Sequence, residues 1–176
     1  MGVRVYISVF GMGLGHASRM ALVARRLKEA GAKIAFASFA EGYNYLSKSG
    51  FPCFEVPSFD VGWMPNAGFS FRLTFVRTPS MIRALIRHLG TEAKNIVSFK
   101  PDVVISDSRL TTVLIAEVLA IPCYTVLNQL KIISPAARNR LMMKVLEDGN
   151  AEFLSKLWSM SREVLIPDLP PPFTIS

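Results

Sequence analysis

Cysteine and histidine are scarce in this chain of 176 residues, which contains two of each. Cys53 and Cys123 lie inside apolar segments, and we expect both to be buried free thiols in a reducing compartment. The sequence has no paired Cys/His spacing of the kind that binds zinc, so no zinc site is predicted.

Long apolar runs are also missing. No stretch reaches the roughly 18 uncharged apolar residues that a membrane span needs. The start, Met1–Arg4, leads into a strand pattern without the layout of a signal peptide. These absences predict a cytoplasmic protein. With 51% hydrophobic and 19% charged residues, the chain has the composition of a globular domain with a core of ordinary size.

Acidic residues are outnumbered, with 13 Asp and Glu against 20 Lys and Arg, which gives a net charge of +7. This excess favours anionic partners such as phosphates, nucleic acid or an acidic membrane surface. No consecutive basic run occurs, so a nucleic-acid-binding tail is not predicted. The basic residues form two groups, Arg72, Arg77, Arg83, Arg87 with His88, and Arg138, Arg140 with Lys144.

Apolar strand patterns alternate with helical patterns along the whole chain. Continuous apolar strands are typical of parallel sheets covered on both faces, so we predict a doubly wound, mostly parallel Rossmann-like α/β domain over 1–167. Residues 168–176, with three consecutive prolines, are expected to begin a linker. Strands are predicted at 3–10, 33–39, 51–56, 101–107, 121–127 and 163–167, with helices at 16–30, 41–49, 79–99, 109–120 and 135–160 and an irregular segment at 57–78.

A glycine-rich turn, Gly11–Arg19, joins the first strand to the first helix. Backbone N–H groups in such a turn can approach an anion at the positive end of the helix dipole. The G-x-G-x-G spacing and the lack of an Asp after the second strand disfavour a dinucleotide site, and no Gly-Lys-Ser/Thr follows as in a P-loop. A turn that is tight only for packing stays open as an alternative.

His16 stands where the first helix begins. The helix dipole favours neutral imidazole there, which is the form that a general base needs. A capping or structural histidine is the alternative. Arg19, one turn along, is a candidate to hold a phosphate or carboxylate, or an ordinary surface arginine.

Two further strands end in polar residues. Asp107, Ser108 and Arg109 follow the fourth strand, and Asn128 follows the fifth. Asp107 is a candidate to orient His16 or to bind a sugar hydroxyl, while Asp107 or Ser108 could instead cap the next helix. Asn128 is a candidate ligand contact or a turn residue.

Residues 69–89 mix large apolar side chains with four arginines. On a helix, Arg83 and Arg87 share one face. Such a pattern fits docking on an anionic membrane, which would make the protein peripheral on the inner membrane face. The alternative is a core stripe with a solvated basic face.

Gly11–Arg19, Pro101–Asp107 and Ile166–Pro172 together resemble the N-terminal domain of GT-B glycosyltransferases, in the group of MurG-like, family 28-like enzymes. The resemblance spans the whole chain. Where that family commonly has adjacent glycines, Leu14 separates Gly13 from Gly15.

The resemblance implies two Rossmann-like domains facing a cleft, with the acceptor on the N-terminal one and a UDP-sugar donor mostly on the other. It implies no obligatory metal and no resident cofactor. His16 would be the catalytic base, steered by Asp107. The substrate- and phosphate-binding residues would be Gly13, Leu14, Gly15, Ser18, Arg19, Ser108, Arg109 and Asn128.

The donor domain has no counterpart in these residues. We therefore expect the N-terminal half of a glycosyltransferase, inactive without a C-terminal domain or separate subunit, and prone to self-association as a homodimer. One alternative is a non-catalytic scaffold that recruits a split glycosyltransferase to a membrane. Another is a dinucleotide-dependent oxidoreductase.

Overall fold

The computed structural model describes residues 2–58, 71–127, 152 and 155–167, and within 71–81 it describes the backbone alone. Six strands alternate with helices along these ranges. The strands are β1 (Arg4–Val9), β2 (Lys33–Ser38), β3 (Cys53–Glu55), β4 (Val103–Asp107), β5 (Cys123–Val126) and β6 (Glu163–Leu165). The helices are α1 (Leu14–Glu29), α2 (Ala40–Ser47), α3 (Phe71–Phe99) and α4 (Leu110–Val118).

All six strands form one parallel sheet in the order β3-β2-β1-β4-β5-β6. The predicted doubly wound Rossmann-like fold is therefore confirmed. The strand order reverses between β1 and β4, where Val9 pairs with Asp107 at the carboxyl end of both strands. Open parallel sheets bind ligands at such a reversal, so the fold places the glycine turn and Asp107 beside the expected crevice.

The core has two layers, one on each face of the sheet. On one face, β1 and β2 pack against α1 and α2 through Ile7, Phe36, Met20 and Leu46. On the other face, Tyr6 and the middle of β4 lie with α3 and α4 residues such as Ile96 and Val113. Because both faces are covered, the strands are apolar at nearly every position.

Helix α3 begins at Phe71, eight residues before the predicted start at Pro79. That prediction was wrong because proline's preference for the first helical turn is a preference and not a requirement. Residues 155–158 are helical, whereas most of the predicted helix 135–160 lies outside the described residues. The predicted linker 168–176 lies outside them as well.

Neither cysteine forms a disulfide; Cys123 is buried and Cys53 is partly buried. Burial raises the pKa of the Cys53 thiol to about 12 and the pKa of the Cys123 thiol to about 11. The expected free thiols are confirmed, with Cys53 less buried than predicted. Among the helices in the described ranges, none combines the length and the apolar character that crossing a bilayer demands.

Candidate active site

The three glycines of the turn have three different environments. A Cβ on Gly11 would lie 2.0 Å from the carbonyl oxygen of Phe39, and the Gly11 carbonyl accepts a 2.9 Å hydrogen bond from the Gly42 N–H. Gly13, which precedes α1, has φ +76°. A Cβ on Gly15 would meet nothing within 4 Å. Close packing therefore explains the need for glycine at Gly11, and the positive φ explains it at Gly13. Neither reason accounts for the glycine at Gly15.

The start of α1 is exposed at Gly13, Leu14 and Gly15. No acidic residue lies in the first turn, and in the described chain no side chain caps the helix at Gly13. The first N–H groups of a helix lack partners within the helix and carry its positive dipole. Such a helix start is suited to an anion, and the predicted phosphate-binding role of the turn stays a prediction.

His16 and Asp107 are in direct contact at the reversal point of the sheet. Nδ1 of His16 lies 2.8 Å from Oδ1 of Asp107. The Asp107 side chain is fully buried, whereas the His16 side chain keeps 19% of its surface exposed. Because an ionised carboxylate only accepts hydrogen bonds, Nδ1 must carry the proton and donate it. The neutral tautomer then leaves Nε2 with its lone pair, as a general base requires.

Arg19 binds the same carboxylate. Its Nη2 lies 2.7 Å from Oδ1 and 2.9 Å from Oδ2 of Asp107, and 3.4 Å from Nδ1 of His16. The Arg19 side chain is 26% exposed. A charge-assisted contact of this kind fixes the carboxylate that orients the imidazole. The structure thus brings His16, Arg19 and Asp107 together, and it directs Arg19 toward Asp107.

Arg109 does not join this group. Its buried guanidinium donates from Nη2 to Oε2 of Glu92 at 2.9 Å, and the other Glu92 oxygen accepts a 2.8 Å hydrogen bond from Thr112 Oγ1. The guanidinium also stands 5.6 Å from the centre of the Phe39 ring. These contacts lie on the α3 and α4 face of the sheet, away from α1.

Neither Asp107 nor Ser108 caps α4. The residue preceding that helix is Arg109, without a side-chain cap, and its N–H donates to Ser106 Oγ at 3.3 Å. The capping alternative was wrong because the Asp107 carboxylate turns toward α1 instead.

The remaining predicted residues have weaker contacts with the site. Ser108 has φ +59°, and its hydroxyl lies 3.4 Å from Asp107 Oδ1. Ser18 donates back to the Gly15 carbonyl at 3.2 Å. Asn128 lies outside the described residues, so its predicted role stays a prediction.

Phe10 and Phe39 belong to the site, although the sequence analysis did not single them out. The Phe10 ring meets the His16 ring edge-on with centroids 5.6 Å apart, and it meets the Phe39 ring in the same way at 5.4 Å. Both are the last residues of predicted strands, 3–10 and 33–39, and this place at the carboxyl ends of the strands was the available signal.

A cleft of about 240 Å³ opens beside Phe10. Its walls come from the ends of β1, β2 and β4 and from α3 and α4. The lining residues are Phe10, Phe39, Leu85, His88, Ser108, Arg109, Leu110, Thr111 and Leu114.

Helix α3 exposes apolar and basic side chains near this cleft. Ile82 is 52% exposed, Leu85 39% and Ile86 63%, and Arg83 and Arg87 are also exposed. The alternative of a buried core stripe is therefore wrong for these apolar positions. Across the described ranges, no group of three or more His, Cys, Asp or Glu side chains could hold a metal ion.

Comparison with known proteins shows the family to which the chain belongs. Residues 3–156 match the profile of the family described as Glycosyl transferase family 1. This chain belongs to that family. An uncharacterized glycosyltransferase of Methanosarcina mazei is 30% identical over 173 residues, covering 98% of this chain and 45% of the relative. A second, from Methanosarcina acetivorans, is 28% identical with the same coverage.

Solved glycosyltransferase structures share the fold. MurG of Acinetobacter baumannii superimposes with a TM-score of 0.61 at 13% identity, over 100% of this chain and 44% of MurG. The Streptomyces sp. SF2575 glycosyltransferase SsfS6, complexed with thymidine diphosphate, gives 0.59 at 19% identity, over 97% and 50%. The GT-B resemblance is confirmed, and this family 1 chain spans less than half the length of its curated relatives.

Proposed function

We propose that the chain supplies the acceptor-binding half of a glycosyltransferase, which moves a sugar from a nucleotide-sugar, in our hypothesis a UDP-sugar, to an acceptor hydroxyl. Residues 1–167 would form this half, and 168–176 would lead toward a donor-binding domain or a separate subunit. The observation that carries the proposal is the 2.8 Å contact between His16 Nδ1 and Asp107 Oδ1 at the reversal point of the sheet.

In the proposed mechanism, His16 Nε2 removes the proton of the acceptor hydroxyl while that oxygen attacks the anomeric carbon of the donor. The bond between the anomeric carbon and the diphosphate oxygen breaks as the new glycosidic bond forms. Asp107 stabilises the imidazolium that results. A positioned base of this kind contributes about 10²- to 10⁴-fold to the rate.

The leaving diphosphate gains negative charge during this step. The N–H groups of the exposed residues Gly13, Leu14 and Gly15 at the start of α1 would meet that charge without a metal ion. The open space at Gly15 supports this role, because a phosphate can approach backbone that carries no Cβ. The thymidine diphosphate complex of SsfS6 is consistent with a nucleoside diphosphate product.

The test is to join the chain to a C-terminal half like that of its relatives and to measure nucleoside diphosphate release from a panel of nucleotide-sugars. We expect release that depends on both halves and increases with an acceptor alcohol. Release by the C-terminal half alone, at the same rate, would contradict the assignment.

A second candidate function follows from α3. The exposed Ile82, Ile86, Arg83 and Arg87 would suit a chain that recruits a partner to an anionic membrane. This function predicts binding to anionic vesicles that weakens with salt and with the double variant Arg83→Gln, Arg87→Gln. Unaltered binding by that variant would rule it out.

A further inference from the structure

We infer that the cleft between Phe10 and α4 binds a neutral, apolar ring portion of the acceptor and excludes an anionic group. This inference rests on the proposed function, since it names the class of acceptor. It replaces the expectation that Arg109 holds an anionic part of a substrate.

The position of the cleft links it to the reaction. Phe10 is a shared wall, because its ring lines the cleft and also touches the His16 ring, with centroids 5.6 Å apart. A group seated against the cleft side of Phe10 therefore lies one ring away from His16. A hydroxyl projecting from that group over the edge of Phe10 would reach the base.

The walls favour an apolar ring. Leu85, Leu110 and Leu114 form the helical sides, and the perpendicular rings of Phe10 and Phe39 form the sheet side. Aromatic rings pack well edge-to-face against other rings. At about 240 Å³ the cleft is smaller than the roughly 300–1,000 Å³ of sites that enclose a drug-sized ligand. It thus fits one portion of the acceptor.

The charge of the described part of the cleft is balanced. Among the lining residues that the structure describes, Arg109 is the only arginine or lysine, and Glu92 neutralises its guanidinium at 2.9 Å. The Arg109 and Glu92 side chains are 4% and 0% exposed. An anion entering the cleft would lose its hydration and meet a pair with no net charge, which is unfavourable.

His88, the other titratable residue among the described lining residues, adds no cation at neutral pH. Its Nε2 lies 3.3 Å from the Ser58 carbonyl oxygen. Burial lowers its pKa from 6.5, outweighing the opposing effect of that backbone contact. The described lining therefore presents, between apolar walls, hydroxyl and imidazole dipoles and the charge-paired Arg109 guanidinium, whose buried Nη1 has no hydrogen-bond partner among the described residues.

Two fluorescent probes test the inference on the 176-residue chain. N-phenyl-1-naphthylamine is neutral, and 8-anilinonaphthalene-1-sulfonate has the same aromatic body with a sulfonate added. We expect the neutral probe to bind more tightly. The variant Leu114→Gln should weaken that binding about tenfold, because it replaces an apolar wall group. Val118 belongs to the same helix and is 79% exposed. Val118→Gln is therefore the matched control and should leave binding of the neutral probe unchanged.

The opposite charge preference would overturn the inference. Tighter sulfonate binding that is lost in Arg109→Met would show that Arg109 receives anions. Equal effects of Leu114→Gln and Val118→Gln would show that the probes bind elsewhere. As an independent check, Glu92→Gln should raise sulfonate affinity by unbalancing Arg109, provided that its circular dichroism matches the parent. If Glu92→Gln does not fold, the comparison of Leu114→Gln with Val118→Gln still tests the inference.

Failure of this inference can be told apart from failure of the proposed function. In the complete two-half enzyme, Leu114→Gln should raise KM for an aromatic alcohol acceptor and leave kcat nearly unchanged. If His16→Asn stops transfer while Leu114→Gln leaves KM unchanged, the base stands and the cleft assignment falls. If the probes behave as expected while His16→Asn remains active, the cleft assignment stands and the assignment of His16 as the base falls.

Discussion

Nδ1 of His16 lies 2.8 Å from Oδ1 of Asp107 although the two residues are 91 positions apart. The parallel pairing of β1 with β4 creates this contact, since the strand ends Val9 and Asp107 are register partners. The glycine turn after β1 then returns the chain, so that the first turn of α1 stands over the end of β4. An imidazole oriented by a buried carboxylate is the chemical unit that our account depends on.

Substitution by alanine should destabilise the fold at Gly11 but not at Gly15. Gly11→Ala places a Cβ 2.0 Å from the Phe39 carbonyl oxygen, so we expect it to destabilise the fold by about 1–3 kcal/mol or more. Gly15→Ala meets open space and should fold as well as the parent, since alanine favours a helix. Urea unfolding of both variants checks this. Equal losses of stability would contradict the distinction.

Gly15→Ala should nevertheless impair turnover by the complete enzyme, because its methyl group would stand where the diphosphate approaches the N–H groups. Steady-state kinetics with varied nucleotide-sugar would detect this effect as weaker donor use. Normal kinetics in a stably folded Gly15→Ala variant would show that the turn does not bind the diphosphate.

Removing only one partner of the buried pair Glu92 and Arg109 should lower the free energy of unfolding strongly. Glu92→Ala leaves an uncompensated buried cation, so we expect a loss of about 3–5 kcal/mol in the free energy of unfolding. The double variant Glu92→Met, Arg109→Met removes both charges and should recover much of that loss. Chemical denaturation of the three proteins provides the measurement, and a double variant no more stable than Glu92→Ala would contradict the pairing.

The two thiols should react slowly in the folded protein. With pKa values raised to about 12 for Cys53 and about 11 for Cys123, both remain protonated at pH 8, and the thiolate is the reactive form. Alkylation by iodoacetamide at pH 8 should therefore be much slower in the native chain than in urea. Native rates that match the rates in urea would show that these thiols are accessible and ionised.

Asp107→Asn tests the positioning role of the carboxylate. The amide oxygen can still accept a hydrogen bond from His16 Nδ1–H, but the negative charge that stabilises the imidazolium is lost. We expect kcat of the complete enzyme to fall toward the lower end of the roughly 10²- to 10⁴-fold range for a general base, with a smaller change in acceptor KM. An unchanged kcat in a folded variant would leave Asp107 with a structural role alone.

The sequence predicted the parts of the fold that local patterns encode. Apolar runs bounded by glycine, proline or polar residues located the six described strands, while a polar strand end pointed to Asp107 and the glycine turn pointed to His16. The start of α3 was misplaced because Pro79 resembles a first-turn residue, whereas the chain is already helical from Phe71.

Contacts between side chains of different helices and strands could not be predicted from the sequence. Glu92 and Arg109 are 17 positions apart and meet only because α3 packs beside α4. Nothing in the local pattern of either residue reports that contact, so Arg109 looked available to a substrate. Phe10 and Phe39 were missed for a different reason, since aromatic residues at the ends of strands usually belong to the core.

The central claim is that His16 acts as the base, and His16→Asn tests it most directly. The asparagine amide can keep the hydrogen bond to Asp107 but cannot take a proton. In the complete two-half enzyme, we predict a loss of about 10²- to 10⁴-fold in acceptor-dependent sugar transfer, with unfolding and nucleotide-sugar binding unchanged. Transfer within a factor of a few of the parent would contradict the account.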